Sequence, residues 1–162
     1  MNLRTKVTIE PVQLPSPEAT TLIALLDSEL HAKYPYVDYN NFKLIPVQFS
    51  SGGGVFLLAR ADGNPVGCGG LRRLDEITGE IKRMYVLPTA RGTGVGRLIL
   101  GELERRARQH TLCRLVLSTG MLQPEAIRLY EHSGFTRIPC PAGHVASQAR
   151  ICMAKALAHG SS

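Results

Sequence analysis

The glycine-rich turn at residues 91–96 is the feature that most constrains the fold of this chain. It reads Arg-Gly-Thr-Gly-Val-Gly and stands between an apolar run at 80–86 and the most regular amphipathic stretch, 94–109. A strand that passes through glycines into a helix presents unpaired N–H groups at the helix start, where the helix dipole favours an anion. The pattern therefore predicts a phosphate-binding turn between a strand and a helix.

Two common phosphate-binding signatures do not fit this turn. A nucleoside triphosphate loop ends in lysine followed by serine or threonine, and this turn has no such pair. A dinucleotide fold needs G-x-G-x-x-G and an acidic residue at the end of the next strand. Here Gly92, Gly94 and Gly96 are spaced G-x-G-x-G, and the next strand ends at Ser118. The spacing indicates another phosphate-bearing cofactor.

The first half of the chain predicts a helix followed by a meander of strands. Ser16-Pro17-Glu18 is typical of a helix start, and an apolar stripe follows it at helical spacing. The stripe consists of Ala19, Leu22, Ile23, Leu26 and Leu30. Residues 34–49 carry prolines and aromatic residues without regular period, so we expect a loop or short helical turns. Apolar runs at 55–59 and 66–71 and a further stretch at 80–86, separated by turn sequences, predict three antiparallel strands after a first strand at 7–12.

The second half predicts a strand, helix, strand unit. The helix at 94–109 has its apolar residues at helical spacing, namely Val95, Leu98, Ile99, Leu103 and Ala107. A strand at 114–118 follows and is expected to pair in parallel with 80–86 through a right-handed crossover. A helix at 124–132 and terminal strands at 135–138 and 151–154 complete the prediction. The expected fold is a mixed α/β domain with six to seven mostly antiparallel strands, a β-α-β cofactor unit and flanking helices.

Composition narrows the class of protein without defining its function. The 162 residues fit one domain, 1–162, and 44% hydrophobic with 20% charged residues is typical of a globular protein. A formal charge of +6 helps attract a phosphorylated ligand, but nucleic-acid binding is not expected. No apolar run has the length of a membrane span, so we expect no membrane association and a cytoplasmic location.

Cysteine and histidine spacings do not predict a metal site. Cys68, Cys113, Cys140 and Cys152 form no C-x-x-C pair and lie in or near apolar runs, so buried free thiols are expected. The five histidines show no metal-ligand spacing, and the chain has no serine-centred nucleophile motif. We therefore expect neither a metal centre nor hydrolase chemistry.

Three motifs in order resemble the GNAT superfamily of N-acetyltransferases. Arg91-x-x-Gly94-x-Gly96 matches the Q/R-x-x-G-x-G/A signature of that superfamily. Met84-Tyr85-Val86-x-Pro88 before it and Leu129-Tyr130-Glu131-x-x-Gly134-Phe135 after it match as well. The resemblance covers residues 54–138. It implies acetyl-CoA as the acyl donor and an amine as the acceptor.

The resemblance also implies the donor-binding residues, within a cofactor core at about 79–135. The turn amides, with the N–H of Arg97, are expected to hold the pyrophosphate. The main chain of Met84 and Val86 is expected to pair with the pantetheine amides, as an added strand between two diverging strands of the sheet. Where many relatives have an asparagine before the last helix, this chain has Gln123. The implied set is Met84, Tyr85, Val86, Arg91, Gly92, Thr93, Gly94, Val95, Gly96, Arg97 and Gln123.

Acyl transfer to an amine needs a neutral nucleophile and a proton for the departing thiolate. Tyr130 matches the family tyrosine that supplies this proton, although the residue also fits a packing role beside Ile127 and Phe135. Glu80 is the candidate base, and an exposed strand glutamate without function is an equally good interpretation. The acceptor is a small-molecule or peptide amine, expected at regions 26–50 and 138–150. A catalytically silent acyl-CoA-binding or regulatory domain is the alternative, and the oligomeric state stays open, a homodimer included.

Overall fold

The computed structural model describes residues 5–36, 44–50, 52–140 and 150–158. In these residues three helices and seven strands follow one another, and none of the helices is long and apolar enough to cross a membrane. The elements are β1 (Val7–Pro11), α1 (Pro17–Lys33), β2 (Val55–Ala61), β3 (Asn64–Arg73), β4 (Thr78–Val86), α2 (Val95–Gln109), β5 (Arg114–Gly120), α3 (Pro124–His132), β6 (Thr136–Ile138) and β7 (Arg150–Ala156). Short 3-10 turns lie at Pro46–Phe49 and Pro88–Ala90.

The seven strands form one sheet in the order β1-β2-β3-β4-β5-β7-β6. All neighbouring pairs are antiparallel except β4 and β5, which are parallel and joined through α2. The predicted meander, the parallel crossover and the mostly antiparallel mixed sheet are therefore confirmed.

The parallel pairing of β4 with β5 is much shorter than the sequence predicts. It joins Thr78 to Arg114, Gly79 to Leu115 and Glu80 to Val116, and there it ends. Beyond Glu80 the two strands separate, although β4 continues to Val86 and β5 to Gly120. Pairing along the whole of 80–86, expected from the strand pattern, was therefore wrong beyond Glu80. The separation of the two strands beside Met84 and Val86, which the family resemblance implies, is observed.

Helix α1 begins as the sequence predicts and covers one face of the sheet. The Ser16 hydroxyl accepts a hydrogen bond from the Ala19 N–H at 3.4 Å, and Pro17 occupies the first turn. The predicted apolar stripe is confirmed: Ala19, Leu22 and Leu26 are buried, and Ile23 and Leu30 pack beside them. Their partners include Phe56 and Tyr85 on the sheet. This face holds the smaller of two cores.

Helix α2 covers the opposite face and buries four of the five predicted positions. Leu98 is 50% exposed, whereas Leu100 is buried beside Ile99 and Leu103. Glu104 is also buried, and its carboxylate accepts two hydrogen bonds of 3.0 Å from the Lys155 ammonium on β7. The assignment of Leu98 to the core was wrong. The buried stripe is centred near Leu103, and with 3.6 residues per turn Leu98 lies on the other side of the helix.

The expectation of four buried free thiols was wrong for three cysteines. Cys140 and Cys152 form a disulfide that ties the residues after β6 to β7, with 5.2 Å between their Cα atoms. Cys113 is a free thiol but only partly buried, and Cys68 alone is both free and buried. Burial raises the pKa of Cys68 to about 12, opposed by the charge of Arg83. A cytoplasmic location stays a prediction, and the disulfide does not favour it because disulfides are rare there.

Replacing Leu103 with alanine tests the core beneath α2. Leu103 is fully buried, so L103A should lower the free energy of unfolding by about 2–5 kcal/mol. The matched variant L98A removes the same atoms from a half-exposed position on the same helix and should change stability by about 0.5 kcal/mol or less. Urea denaturation followed by circular dichroism measures both. Equal losses would contradict the observed register of α2.

Candidate active site

The separation of β4 from β5 creates a gap at the end of the sheet that contains Met84–Val86. On one side β4 stays paired with β3, where Cys68 faces Tyr85 and Gly67 faces Val86. On the other side the main chain of these residues has no β5 partner within the described pairing. Main-chain N–H and C=O groups on such a strand edge are able to pair with an extended ligand.

The glycine turn closes one end of this gap and starts α2. Gly92 and Gly94 have φ of 78° and 91°, the left-handed region that glycine adopts without steric cost. Gly94 is the N-cap of α2 and has no side chain to occupy the first N–H groups of the helix. The Thr93 hydroxyl donates to the Ala90 carbonyl within the turn. The N–H groups of the first α2 turn are therefore available to an anion.

A cavity of about 770 Å³ joins the gap, the glycine turn and the start of α3. Its volume is within the range of pockets that hold cofactors and drug-sized ligands. Of the predicted donor-site residues, ten line it: Met84, Tyr85, Val86, Arg91, Gly92, Gly94, Val95, Gly96, Arg97 and Gln123. Tyr130 lines it too. Thr93 and Glu80 do not, and of the expected acceptor regions 37–43 and 141–149 lie outside the described residues.

The side chain of Arg91 is engaged by the protein itself. Its Nε donates to the Val86 carbonyl at 2.9 Å, one of its terminal nitrogens donates to Glu29 at 2.7 Å, and its guanidinium lies 5.6 Å from the centre of the Tyr85 ring. Arg91 thus braces the end of β4 against α1. Its role in donor binding stays a prediction.

Helix α1 supplies cavity residues that the sequence did not reveal. Glu29 and Lys33 line the cavity together with Leu26, and Lys33 forms an i,i+4 ion pair with Glu29 at 3.5 Å. Burial disfavours the Glu29 carboxylate, but the hydrogen bond and charge of Arg91, helped by Lys33, outweigh it and hold the pKa of Glu29 below its ordinary value. Glu29 and Arg91 are 62 positions apart, so no local sequence pattern could identify this pair.

Tyr130 is buried in the wall of the cavity. Only 5% of it is exposed, and its ring meets Phe135 edge to face with 5.8 Å between centroids. Burial raises the pKa of the Tyr130 phenol above its ordinary value, because the ionised form would lose hydration. The phenol therefore keeps its proton at neutral pH. Tyr130 therefore packs against Phe135 and also lines the cavity.

The loop between β5 and α3 is fixed by two residues, one of them not predicted. Gln123 is the N-cap of α3, and its side-chain oxygen accepts from the Gly120 N–H at 3.1 Å. The Tyr34 phenol oxygen, at the end of α1, accepts from the Leu122 N–H at 2.8 Å. Tyr34 thus connects α1 to the loop that carries Gln123, a contact across 88 positions.

Glu80 stands at the point where β4 and β5 separate, on the face that carries α1. Arg72, its direct neighbour on β3, donates to Glu80 Oε1 at 2.7 Å and to the side chain of Gln48 at 3.2 Å. Lys82 lies 3.8 Å from the same Oε1. The Glu80 side chain is 14% exposed, so the expectation of a fully solvated glutamate does not hold.

Comparison with known proteins identifies the class that this fold and cavity define. The model of the acetyltransferase (GNAT) family matches residues 18–135. A protein from Klebsiella pneumoniae assigned as an acyl-CoA N-acyltransferase superposes with a TM-score of 0.78 and 31% identity, over 93% of this chain and 97% of that one. The chain therefore belongs to the GNAT acetyltransferase family, an acyl-CoA-dependent class of enzymes, and the predicted family, enzyme class and fold are confirmed.

Two further relatives bear on the ligands. An IAA acetyltransferase of Azospirillum brasilense is 47% identical over 81 residues, which is 49% of this chain and 53% of that relative, so the match spans about half of its length. A GNAT acetyltransferase from Elizabethkingia anophelis, solved with acetyl-CoA bound, has a TM-score of 0.66 and 22% identity over 93% of this chain and 98% of that one. The predicted donor, acetyl-CoA, is the donor of this family.

Two glycines with the same backbone conformation test the glycine turn. Gly94 and Gly63 have φ of 91° and 84°, and a Cβ added at either would meet no heavy atom of the described chain within 4 Å. Both alanine variants should therefore lose about 1–2 kcal/mol of stability from backbone strain. Only G94A places a methyl group in the cavity, so it alone should weaken acetyl-CoA binding, by about tenfold or more, in isothermal titration. Equal affinity in G94A and G63A would remove the turn from the donor site.

Proposed function

We propose that this chain transfers the acetyl group of acetyl-CoA directly to the nitrogen of a primary amine. The observation that carries the proposal is the shared cavity: uncapped amides of α2, the edge of β4 and the buried Tyr130 phenol all face it. Anion-binding amides at one end and a proton donor in the wall suit a phosphorylated thioester. The chain 1–162 acts as one domain in this proposal.

The donor is held by main chain more than by charge. In the proposed complex the N–H groups at the start of α2, with Gly92 and Gly94 allowing close approach, bind the pyrophosphate. The edge of β4 at Met84 and Val86 pairs with the pantetheine amides, which aligns the thioester with the gap beyond Glu80. Acetyl-CoA supplies the activated acetyl group, and every further step depends on side chains of this protein.

Protons move in opposite directions at the two sides of the reaction. The amine loses a proton as its nitrogen bonds to the acetyl carbon, and the bond from that carbon to sulfur breaks. Tyr130 gives its proton to the leaving thiolate and regains one from solvent. Before the attack, Glu80 accepts the proton that makes the ammonium a neutral amine, directly or through water. The proton that the nitrogen loses on bonding passes to solvent. In sum, a protonated amine and acetyl-CoA give the amide, the CoA thiol and one free proton.

The acceptor side lies on the α1 face of the sheet in this proposal. The expected acceptor regions are 26–50 and 138–150, and their described parts include Asp27 on α1 and the turn at 46–49. A silent acyl-CoA-binding domain is the rival function. It predicts acetyl-CoA binding without CoA release in the presence of any amine, so a screen across amine classes that monitors free thiol separates the two.

Removing one hydroxyl tests the role of Tyr130. Y130F should lower kcat by about a hundredfold, because general acid catalysis contributes rate enhancements of that order. Its acetyl-CoA affinity should stay within twofold, since the ring and its packing on Phe135 remain. Thermal unfolding of Y130F beside the wild type is the control for its fold. An unchanged kcat in Y130F would leave this tyrosine with packing alone.

The pH dependence of E80Q tests the base. An amine with a pKa of about 10.4 is mostly protonated at pH 7, so E80Q should lose about a hundredfold in kcat/KM there. Its deficit should shrink as pH rises towards 10, because the amine then loses its proton unaided. R72Q breaks the same ion pair but keeps the carboxylate, so its pH profile should parallel the wild type. Parallel profiles for E80Q and the wild type would exclude Glu80 as the base.

A further inference from the structure

Charged residues surround Glu80, and the proposed chemistry gives none of these neighbours a role. Arg72, Lys82 and Arg83 bring three positive charges to the face of the sheet that carries α1, and Glu80 and Asp27 bring two negative ones. Arg83 pairs with Asp27 on α1, and Arg72 with Glu80. We call Arg72, Glu80 and Lys82 the β4 charge cluster. Within it two cations share a single carboxylate.

Lys82 is the member of the cluster whose charge is least compensated. Its ammonium is 3.8 Å from Glu80 Oε1, an oxygen that already accepts a hydrogen bond of 2.7 Å from Arg72. The side chain is one-third exposed, so an incoming ligand can reach it. Burial lowers the pKa of Lys82, Glu80 opposes this shift, and the charges of Arg72, Arg83 and Arg150 lower it further. An additional carboxylate beside Lys82 would relieve that repulsion.

Alternation along β4 places Lys82 beside the proposed base. Residues two apart on a strand point to the same face, so Glu80 and Lys82 stand side by side where β4 leaves β5. An amine that approaches Glu80 therefore brings its neighbouring atoms towards Lys82. The spacing of 3.8 Å between the two charged groups matches a molecule whose amine and carboxylate are close together.

We propose that the acceptor is an amino carboxylate, an amine with a carboxylate on the adjacent carbon, and that Lys82 binds this carboxylate while Glu80 faces the amine. The proposal rests on the proposed acetyl transfer to an amine. In this arrangement the acceptor replaces the long contact between Lys82 and Glu80 with two charge-assisted contacts of its own. An amine without a carboxylate would leave Lys82 facing Arg72 without the additional anion.

The test compares each of the twenty α-amino acids with its α-carboxamide as acceptor, with CoA thiol release as the readout. The amine of a carboxamide is less basic than that of the acid, so intrinsic reactivity favours the amide and a preference for the acid must come from recognition. For the best acid and amide pair, the wild type should prefer the acid by about tenfold or more in kcat/KM. K82M should lose that preference, chiefly through a raised KM for the acid, and K82R should keep most of it.

A matched charge control separates local recognition from the overall positive charge. K6M removes one lysine from an exposed position before β1, on the far edge of the sheet, and should keep the wild-type preference. Thermal unfolding of each variant shows that the fold persists, and acetyl-CoA titration shows that the donor site persists.

The outcomes distinguish this proposal from the one on which it rests. Amides acetylated as well as acids by the wild type would overturn the carboxylate proposal and leave acetyl transfer standing. A preference that survives in K82M would overturn Lys82 as its origin. If neither acids, amides nor simple amines release CoA although acetyl-CoA binds, acetyl transfer itself is overturned and the acceptor proposal with it.

Discussion

The short parallel ladder between β4 and β5 is the constraint on which the site depends. Three residue pairs hold the strands together, and each strand then follows its outer partner: β4 stays with β3, and β5 pairs with β7 over its whole length. The pairing of β3 with β4 shifts register between Cys68 and Gly70, and Arg83 on β4 has a φ of 58° there. Such a bulge bends β4 away from β5. The bend exposes the main chain of Met84–Val86 and directs the chain into the glycine turn.

Helix α1 controls the electrostatics on both sides of this gap. Asp27 pairs with Arg83 on the acceptor side, and Glu29 pairs with Arg91 on the donor side, while Leu22 and Leu26 hold the helix on the sheet. Because Glu29 already compensates Arg91, the donor cavity is less positive than its sequence indicates. In the proposed complex the left-handed glycines and the uncapped start of α2 are therefore the main source of affinity for phosphate.

The parts of the fold that sequence predicted are those set by local pattern. The Ser16-Pro17 helix start, the meander and the order of strand, turn and helix around Gly94 depend on spacings within about twenty residues, and all of them are observed. Contacts between distant segments were missed, namely Glu29 with Arg91 and Tyr34 with Leu122. The Cys140–Cys152 disulfide was missed too, although the two cysteines are only 12 residues apart, because no spacing rule indicates that the chain returns beside β6. Each requires knowledge of which elements the sheet order brings together. The end of the β4 and β5 ladder at Glu80 was missed as well, since the strand pattern of 80–86 is the same whether a residue is paired or borders a gap. The separation itself was implied by the family resemblance alone.

The two sides of the proposed site meet at the gap but are built from different residues. Tyr130 lies in an apolar wall beside Phe135, on the side of the cavity formed by α3, and the donor turn lies next to it. Arg72, Glu80 and Lys82 lie on the face that carries α1, and none of them lines the donor cavity. A substitution in the β4 charge cluster can therefore change which amine is accepted while the amides, glycines and phenol that serve the donor remain in place. This separation gives a physical reason why acceptor preference can diverge among proteins that share the donor turn.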